Sequence, residues 1–323
     1  MRLSGFRFSK KTGNFTIKDD AIRYAELKQA EPLIMGMCEE RLLPEGLVRG
    51  GVIQDFDTLS LILDECVREW GIKGRKIRFT VPDSHVVIRK VTVPGDLIDD
   101  EIRGHLYIEI GSSIHLPFDE AVFDFIVTGR TEKELHLLLF ASSEELVRSY
   151  SDLFESAGLK PDAADISPLC QYRFYLNQKT KVDHASSVML IQYDLSGVNL
   201  SIFQHEQPVF MRNLEVEKSI RESDKMSGSI TQDDFRLQVN EIIKEIDHVL
   251  NFYRFSLNQG NDEVSSFILT GDHPLLQEAE RLLIERYDYP VDSLKNAQAE
   301  ISNKSPLPAS FYLTAGLALK EVR

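Results

Sequence analysis

Metal chemistry needs histidines or carboxylates at ligand spacing, and nucleophilic catalysis needs a serine or cysteine exposed on a turn. The chain holds 8 histidines and 3 cysteines. No pair of histidines forms an HExxH or other metal spacing, and Ser112-Ser113 and Ser142-Ser143 lack a Gly-x-Ser-x-Gly setting. Cys38, Cys66 and Cys170 are far apart and odd in number, which suits neither a metal site nor a disulfide framework. Cys66 falls on an apolar helical face and reads as a small core residue. His105, beside Leu106, reads as a boundary residue, and His273, before Pro274, as a turn residue. Asp99-Asp100-Glu101 opens a helix, where the macrodipole favours carboxylates. Asp119, Glu120 and Asp124 read as a solvated face or as a surface for a basic peptide. None of these is a catalytic constellation, so the chemistry has to be sought in the order of the elements.

With 323 residues, 42% hydrophobic and 27% charged, the chain reads as a globular protein of two or more domains. Its net charge of −14 argues against a nucleic-acid partner, whose phosphates call for clustered Lys and Arg. No apolar run approaches the roughly 18 residues needed to span a bilayer. The opening MRLSGFRFSKKTGNF has no apolar core suited to a signal peptide. A reducing cytoplasm fits the cysteines, and any membrane association is expected to run through a partner.

Residues 13–18, 21–27 and 32–43 read as three strands. A helix capped by Asp55 or Asp57 follows, with Leu59, Ile62, Leu63, Cys66 and Trp70 on one stripe. Lys76–Val81 and Val86–Val93 are strands, each followed by a proline. Next come a helix with Ile98, Ile102, Leu106 and Ile110 on one face, and strands at 121–127 and 134–141. Ser142 with Glu145 predicts a capping box for a helix ending at Gly158. Pro168 starts another helix, and residues 177–185 read as a boundary between halves. The three-strand pattern then returns at 188–193, 198–203 and 208–213. Residues 222–232 are polar and read as mobile. A long helix at 233–257, a strand at 265–269 and helices from 275 and at 310–319 complete the chain. Each half opens with a three-strand meander followed by helices, and the first half holds an extra α+β unit.

The order of short signatures resembles the PilM family of type IV pilus assembly proteins, relatives of the cell-division protein FtsA. The matching residues are Leu43-Pro44-Glu45-Gly46 with Gly50-Gly51-Val52-Ile53-Gln54-Asp55, Thr80-Val81-Pro82, and Val87–Pro94. Leu116–Ala121 with Phe123-Asp124-Phe125, Tyr150 through Ala157-Gly158-Leu159, and Phe252-Tyr253-Arg254 extend the likeness over nearly the whole chain. The resemblance implies an α/β, actin-like (ribonuclease H-like) two-lobed ATPase fold with an FtsA-type inserted α+β subdomain. Residues 1–82 plus 166–180 would form the first subdomain and 83–165 the insert. Residues 186–323 would form the second lobe, with 223–264 its helical part.

By the same resemblance, the chain is an adaptor at the inner face of the cell membrane, cytoplasmic and attached there through partners. A groove between the 83–165 insert and the first subdomain would take the cytoplasmic N-terminal tail of a PilN-like single-span membrane protein. Other pilus machinery would bind as well, and self-association is open. A competence or secretion machine is the neighbouring alternative. FtsA has a membrane-binding tail after its last domain, whereas here Arg323 follows soon after the final helix, so direct lipid attachment is not expected.

Actin-like proteins hold ATP with Mg²⁺ through two hairpin turns that aim backbone N–H groups at phosphates. In the PilM family the first turn resembles Asp-Ile-Gly-Ser-Ser-Ser-Val-Lys. Here it reads Thr16-Ile17-Lys18-Asp19-Asp20-Ala21-Ile22-Arg23, with Thr16 in place of the acid and Lys18 in place of the close-approach glycine. Asp19 and Asp20 would face a triphosphate and repel it. In the second turn, Gln192-Tyr193-Asp194 replaces Asp-Ile-Gly and is followed by Leu195, Ser196 and Gly197. Paired glycines are absent at Leu214–Glu217, and the adenine turn keeps Gly271 alone, before Asp272, His273 and Pro274. The cofactor-binding candidates Thr16, Lys18, Asp194, Gly197 and Gly271 therefore read as a degenerate site with no cofactor. An active ATPase binding ATP and Mg²⁺ is the alternative.

Overall fold

Two mixed sheets with one strand order carry the chain. The computed structural model describes residues 12–179, 186–215, 232–294 and 297–320. In the first sheet β1 (Gly13–Ile17), β2 (Ala21–Gln29) and β3 (Ile34–Leu42) form an antiparallel meander. A small hairpin of β4 (Val48–Arg49) and β5 (Val52–Ile53) leads to α1 (Phe56–Glu69). Asp55 is the cap, accepting from the Thr58 N–H at 3.0 Å. β6 (Lys76–Val81) then returns parallel to β1.

The chain leaves this sheet for a separate unit of β7 (Val86–Pro94), α2 (Asp99–Glu109), β8 (Ala121–Arg130) and β9 (Glu134–Ser143). Its strands run in the order β7-β9-β8, so β8 is an outer edge. α2 covers one face, burying Ile102 and Leu106 against Val93, Phe123, Leu135, Leu137 and Leu139. Ile98 and Ile110 continue the predicted stripe in spacing, but Ile98 is 59% exposed because it precedes the helix as its cap. α3 (Glu144–Ser156) carries the chain back, and β10 (Lys160–Ile166) pairs parallel with β6.

α4 (Ser167–Gln178) crosses to the second sheet. There β11 (Ser187–Asp194), β12 (Gly197–Gln204) and β13 (Gln207–Glu215) repeat the meander. α5 (Gln232–Asn251) runs into a π-helical turn at Phe252–Leu257, and β14 (Val264–Thr270) pairs parallel with β11. α6 (Leu276–Arg286) and β15 (Val291–Ser293) finish this sheet. Finally β16 (Glu300–Ile301) pairs with β3, and α7 (Tyr312–Ala318) lies on the first sheet.

The sheet orders β3-β2-β1-β6-β10 and β13-β12-β11-β14-β15 are the same arrangement, third-second-first-fourth-fifth, built twice. This is the expected actin-like, two-lobed duplication. Each sheet is covered on both faces, which is why β11 is buried at all eight positions. α1 and α3 cover one face of the first sheet through Leu59, Leu63, Tyr150, Leu153 and Phe154. α5 and α6 cover one face of the second through Phe235, Val239, Ile246, Val249 and Leu283. α4 serves both lobes. Its Phe174 joins the first sheet's core with α7, while Tyr172 joins Leu190, Phe203 and Ile268 of the second.

Three expectations shift. The helix cap is Ser143, accepting from the Leu146 N–H at 3.4 Å, not Ser142. Strand alternation turns Ser142 inward between Val86 and Val122, leaving its neighbour free to cap. The separate unit ends with β9, so α3 and β10, drawn inside the 83–165 insert, belong with the first sheet by packing and pairing. β10 (KPDAADI) has no apolar alternation and is held by backbone pairing to β6. Likewise β16 and α7, drawn inside the 186–323 lobe, lie with the first sheet. Residues 222–231 fall outside the described residues.

Candidate functional site

The duplication brings three turns together. The β1–β2 turn presents Lys18, the β11–β12 turn follows Asp194, and the segment Gly271–His273 leaves the end of β14 beside β11. Beside the first two turns is a cavity of about 80 Å³, lined among others by Lys18, Asp19, Gly51, Asp83, Asp194 and Gly197. Small-molecule sites run to about 300–1,000 Å³, so this space is small for a nucleotide.

Charge fills the rest. Lys18 Nζ is 2.6 Å from Asp194 Oδ2 and 3.7 Å from Asp272 Oδ2. Arg23, on β2, reaches Asp272 Oδ2 at 3.1 Å and is aligned from behind by Glu40 on β3 at 2.5 Å. The side chains of Lys18, Arg23, Asp194 and Asp272 are 14%, 5%, 7% and 7% exposed, so water screens these pairs little. Burial works against the Lys18 ammonium, yet Asp194 and Asp272 hold its pKa above the ordinary value. Burial also opposes ionisation of Asp272, and Lys18 and Arg23 outweigh it, holding that carboxyl below its usual range.

The backbone donors of the turns are occupied by the same carboxylates. The Asp272 N–H donates to Asp194 Oδ1 at 3.1 Å, and the Leu195 N–H to Asp272 Oδ1 at 3.3 Å. The Gly50 and Gly51 N–H groups donate to Asp19 at 2.9 and 3.1 Å. The Lys18 N–H closes its own hairpin on Ala21 O at 2.9 Å. Asp19 therefore lines the cavity with its two oxygens already accepting hydrogen bonds, where the sequence suggested a bare repelling charge. It faces two amide donors. Asp20, half-buried, lies 3.7 Å from Arg23. Anions are indeed bound at these turns, and they are the chain's own.

Of the five residues singled out from sequence, Lys18, Asp194 and Gly197 line the cavity. Thr16 lies beneath it, buried, with its hydroxyl 2.9 Å from that of Thr314 on α7. Gly271 has a packing reason to be glycine: its φ is +131°, and a Cβ there would come within 1.9 Å of Tyr193 O. His273, read as a turn residue, is buried and stacked on Tyr193 with centroids 4.1 Å apart. Burial pushes its pKa down to about 4, although Asp272 pulls the other way.

Sequence reasoning named Arg23 and Asp272 within their turns without pairing them, and it missed Asp83. Arg23 and Asp272 are 249 positions apart, and nothing local in either stretch announces their pairing. Asp83 follows the quoted Thr80-Val81-Pro82, and its place just past the end of β6, beside the β1–β2 turn, was the available signal. Its carboxylate accepts from Ser167 Oγ at 2.5 Å. Burial raises its pKa to about 6, helped by Asp194, while Ser167, Lys18 and Asn199 pull it back. An aspartate and a serine without a histidine between them lack the relay of a hydrolytic triad. Among the described residues no group of three or more His, Cys, Asp or Glu could hold a metal ion. Nor is any helix long and apolar enough to cross a membrane.

Residues 15–217 match the family model of type IV pilus assembly protein PilM. Among solved structures, the chain is similar to the PilM-PilN type IV pilus biogenesis complex, with TM-score 0.79 and 18% identity, covering 96% of this chain and 98% of that one. It is also similar to the ethanolamine utilization protein EutJ from Carboxydothermus hydrogenoformans, with TM-score 0.54 and 8% identity, covering 95% and 89% of the two chains. At such identities these two likenesses show the fold alone.

Proposed function

Because the chain belongs to the family of type IV pilus assembly proteins PilM, we propose that it is a non-catalytic adaptor of pilus assembly. It works at the cytoplasmic face of the cell membrane and is held there by partners. In this reading it binds the cytoplasmic tail of a PilN-like single-span membrane protein beside the unit formed by β7, β8, β9 and α2, and its nucleotide cradle is vacated. The observation that carries the adaptor is the family match, which runs through both the first meander and this unit. The observation that carries the vacated cradle is the capture of its N–H donors by Asp19, Asp194 and Asp272. The PilM-PilN complex, a structure of the same fold, supports the choice of partner.

The test is fluorescence anisotropy with a labelled peptide of the cytoplasmic tail of a PilN-like protein. Saturable binding that an unlabelled copy competes away supports the adaptor; no binding at high micromolar protein overturns it. The competing reading, an ATP-binding protein of the same fold, requires Lys18 to exchange Asp194 for a phosphate.

A further inference from the structure

The two lobes meet at a back and a front. At the back α4 packs on both sheets, its Gln171 accepting from Thr270 Oγ1 of β14 at 3.1 Å. Two cations of the first sheet, Lys18 and Arg23, engage two carboxylates of the second, Asp194 and Asp272, at the front. Every one of these cross-lobe pairs joins a turn or strand of one sheet to a turn of the other. A ligand bridging the same turns would hold the lobes in the same relation.

We propose that these four side chains form an electrostatic latch that closes the lobes in place of a bridging ligand, with α4 as the hinge behind it. The reasoning is one of paired costs. Closed, the four charges lose hydration and are repaid by each other and by the Asp272 and Leu195 N–H groups. Open, each charge regains water. Neither state strands a charge, so the closed form depends on all four members being present. Removing Lys18 leaves Asp194 and Asp272 facing each other with Arg23 as the remaining cation, which favours the hydrated, open form. Arg23 is fixed by Glu40 on its own sheet, so it stays with the first lobe when the latch opens. The groups facing the latch are Asp20 and Glu40 from the first sheet and Asp83 from the end of β6.

The inference rests on the vacated cradle, and the experiment separates the two. In a Cys38→Ala background, spin labels at Leu42→Cys and Ile284→Cys, both exposed and on opposite lobes, report the interlobe distance by double electron–electron resonance. The native latch is expected to give one narrow distance. Lys18→Met should lengthen and broaden it, and Lys18→Asp combined with Asp194→Lys should return it toward the native value. Hydrogen exchange at the Leu195 and Asp272 amides should quicken about a hundredfold in Lys18→Met. Should that variant fail to fold, Asp272→Asn, of the same shape, gives the same reading. A native distance in Lys18→Met or in Asp272→Asn overturns the latch. If magnesium ATP re-closes Asp272→Asn, which keeps Lys18, the vacated cradle falls while the latch stands.

Discussion

The cleft and the outer edge of the inserted unit treat their backbone groups in opposite ways. In the cleft, the N–H groups of Lys18, Gly50, Gly51, Leu195 and Asp272 all have intramolecular acceptors, four of them carboxylates. At the edge, β8 ends its sheet with one side unpaired by any other strand among the described residues and with Val122, Ile126 and Val127 at about 40% exposure. An unpaired strand edge is a template for an added strand. A region saturated by its own chain holds a shape, and one left open is available to a partner.

The largest effect expected in the cleft is from Asp272→Ala. It strips two buried cations of a shared counterion and should cost about 3–5 kcal/mol in urea unfolding. A loss below 1 kcal/mol would mean these pairs are not the buried lattice described. Gly271→Ala comes next. The +131° backbone and the Tyr193 carbonyl resist a methyl group, so a loss of about 2–3 kcal/mol is expected by the same assay.

Asp83 gives the comparison a pH axis. Its folded pKa, raised to about 6, lies above its ordinary value of 3.8. The folded state therefore holds the proton more tightly than the unfolded chain. The associated stability is complete below about pH 4 and is lost as pH rises through 6, by about 1–3 kcal/mol. Asp83→Asn should flatten the stability profile across that window. At the edge, Ile126→Asp should leave unfolding within about 0.5 kcal/mol of native but weaken binding of the tail peptide about tenfold.

Much of the scaffold was legible because strands and helices announce themselves locally. The meanders follow from alternation in stretches such as Val198–Phe203, and α1 from its stripe and the Asp55 cap. What escaped is what depends on partners far along the chain. β10 has no apolar period and exists through the edge of β6. The cleft was half legible. Substituted turns drew attention to the cleft, but the side chains appeared as repelling charges because Arg23, Gly50 and Gly51 could not be seen opposite them. Composition of a turn shows which side chains it carries; the fold alone shows what they pair with.

Isothermal titration calorimetry of the native chain with magnesium ATP at millimolar concentration bears most directly on the central claim. A cleft whose donors and cations are bound to Asp19, Asp194 and Asp272 predicts no heat beyond dilution. A saturable isotherm near one nucleotide per chain, abolished by Lys18→Met, would contradict it.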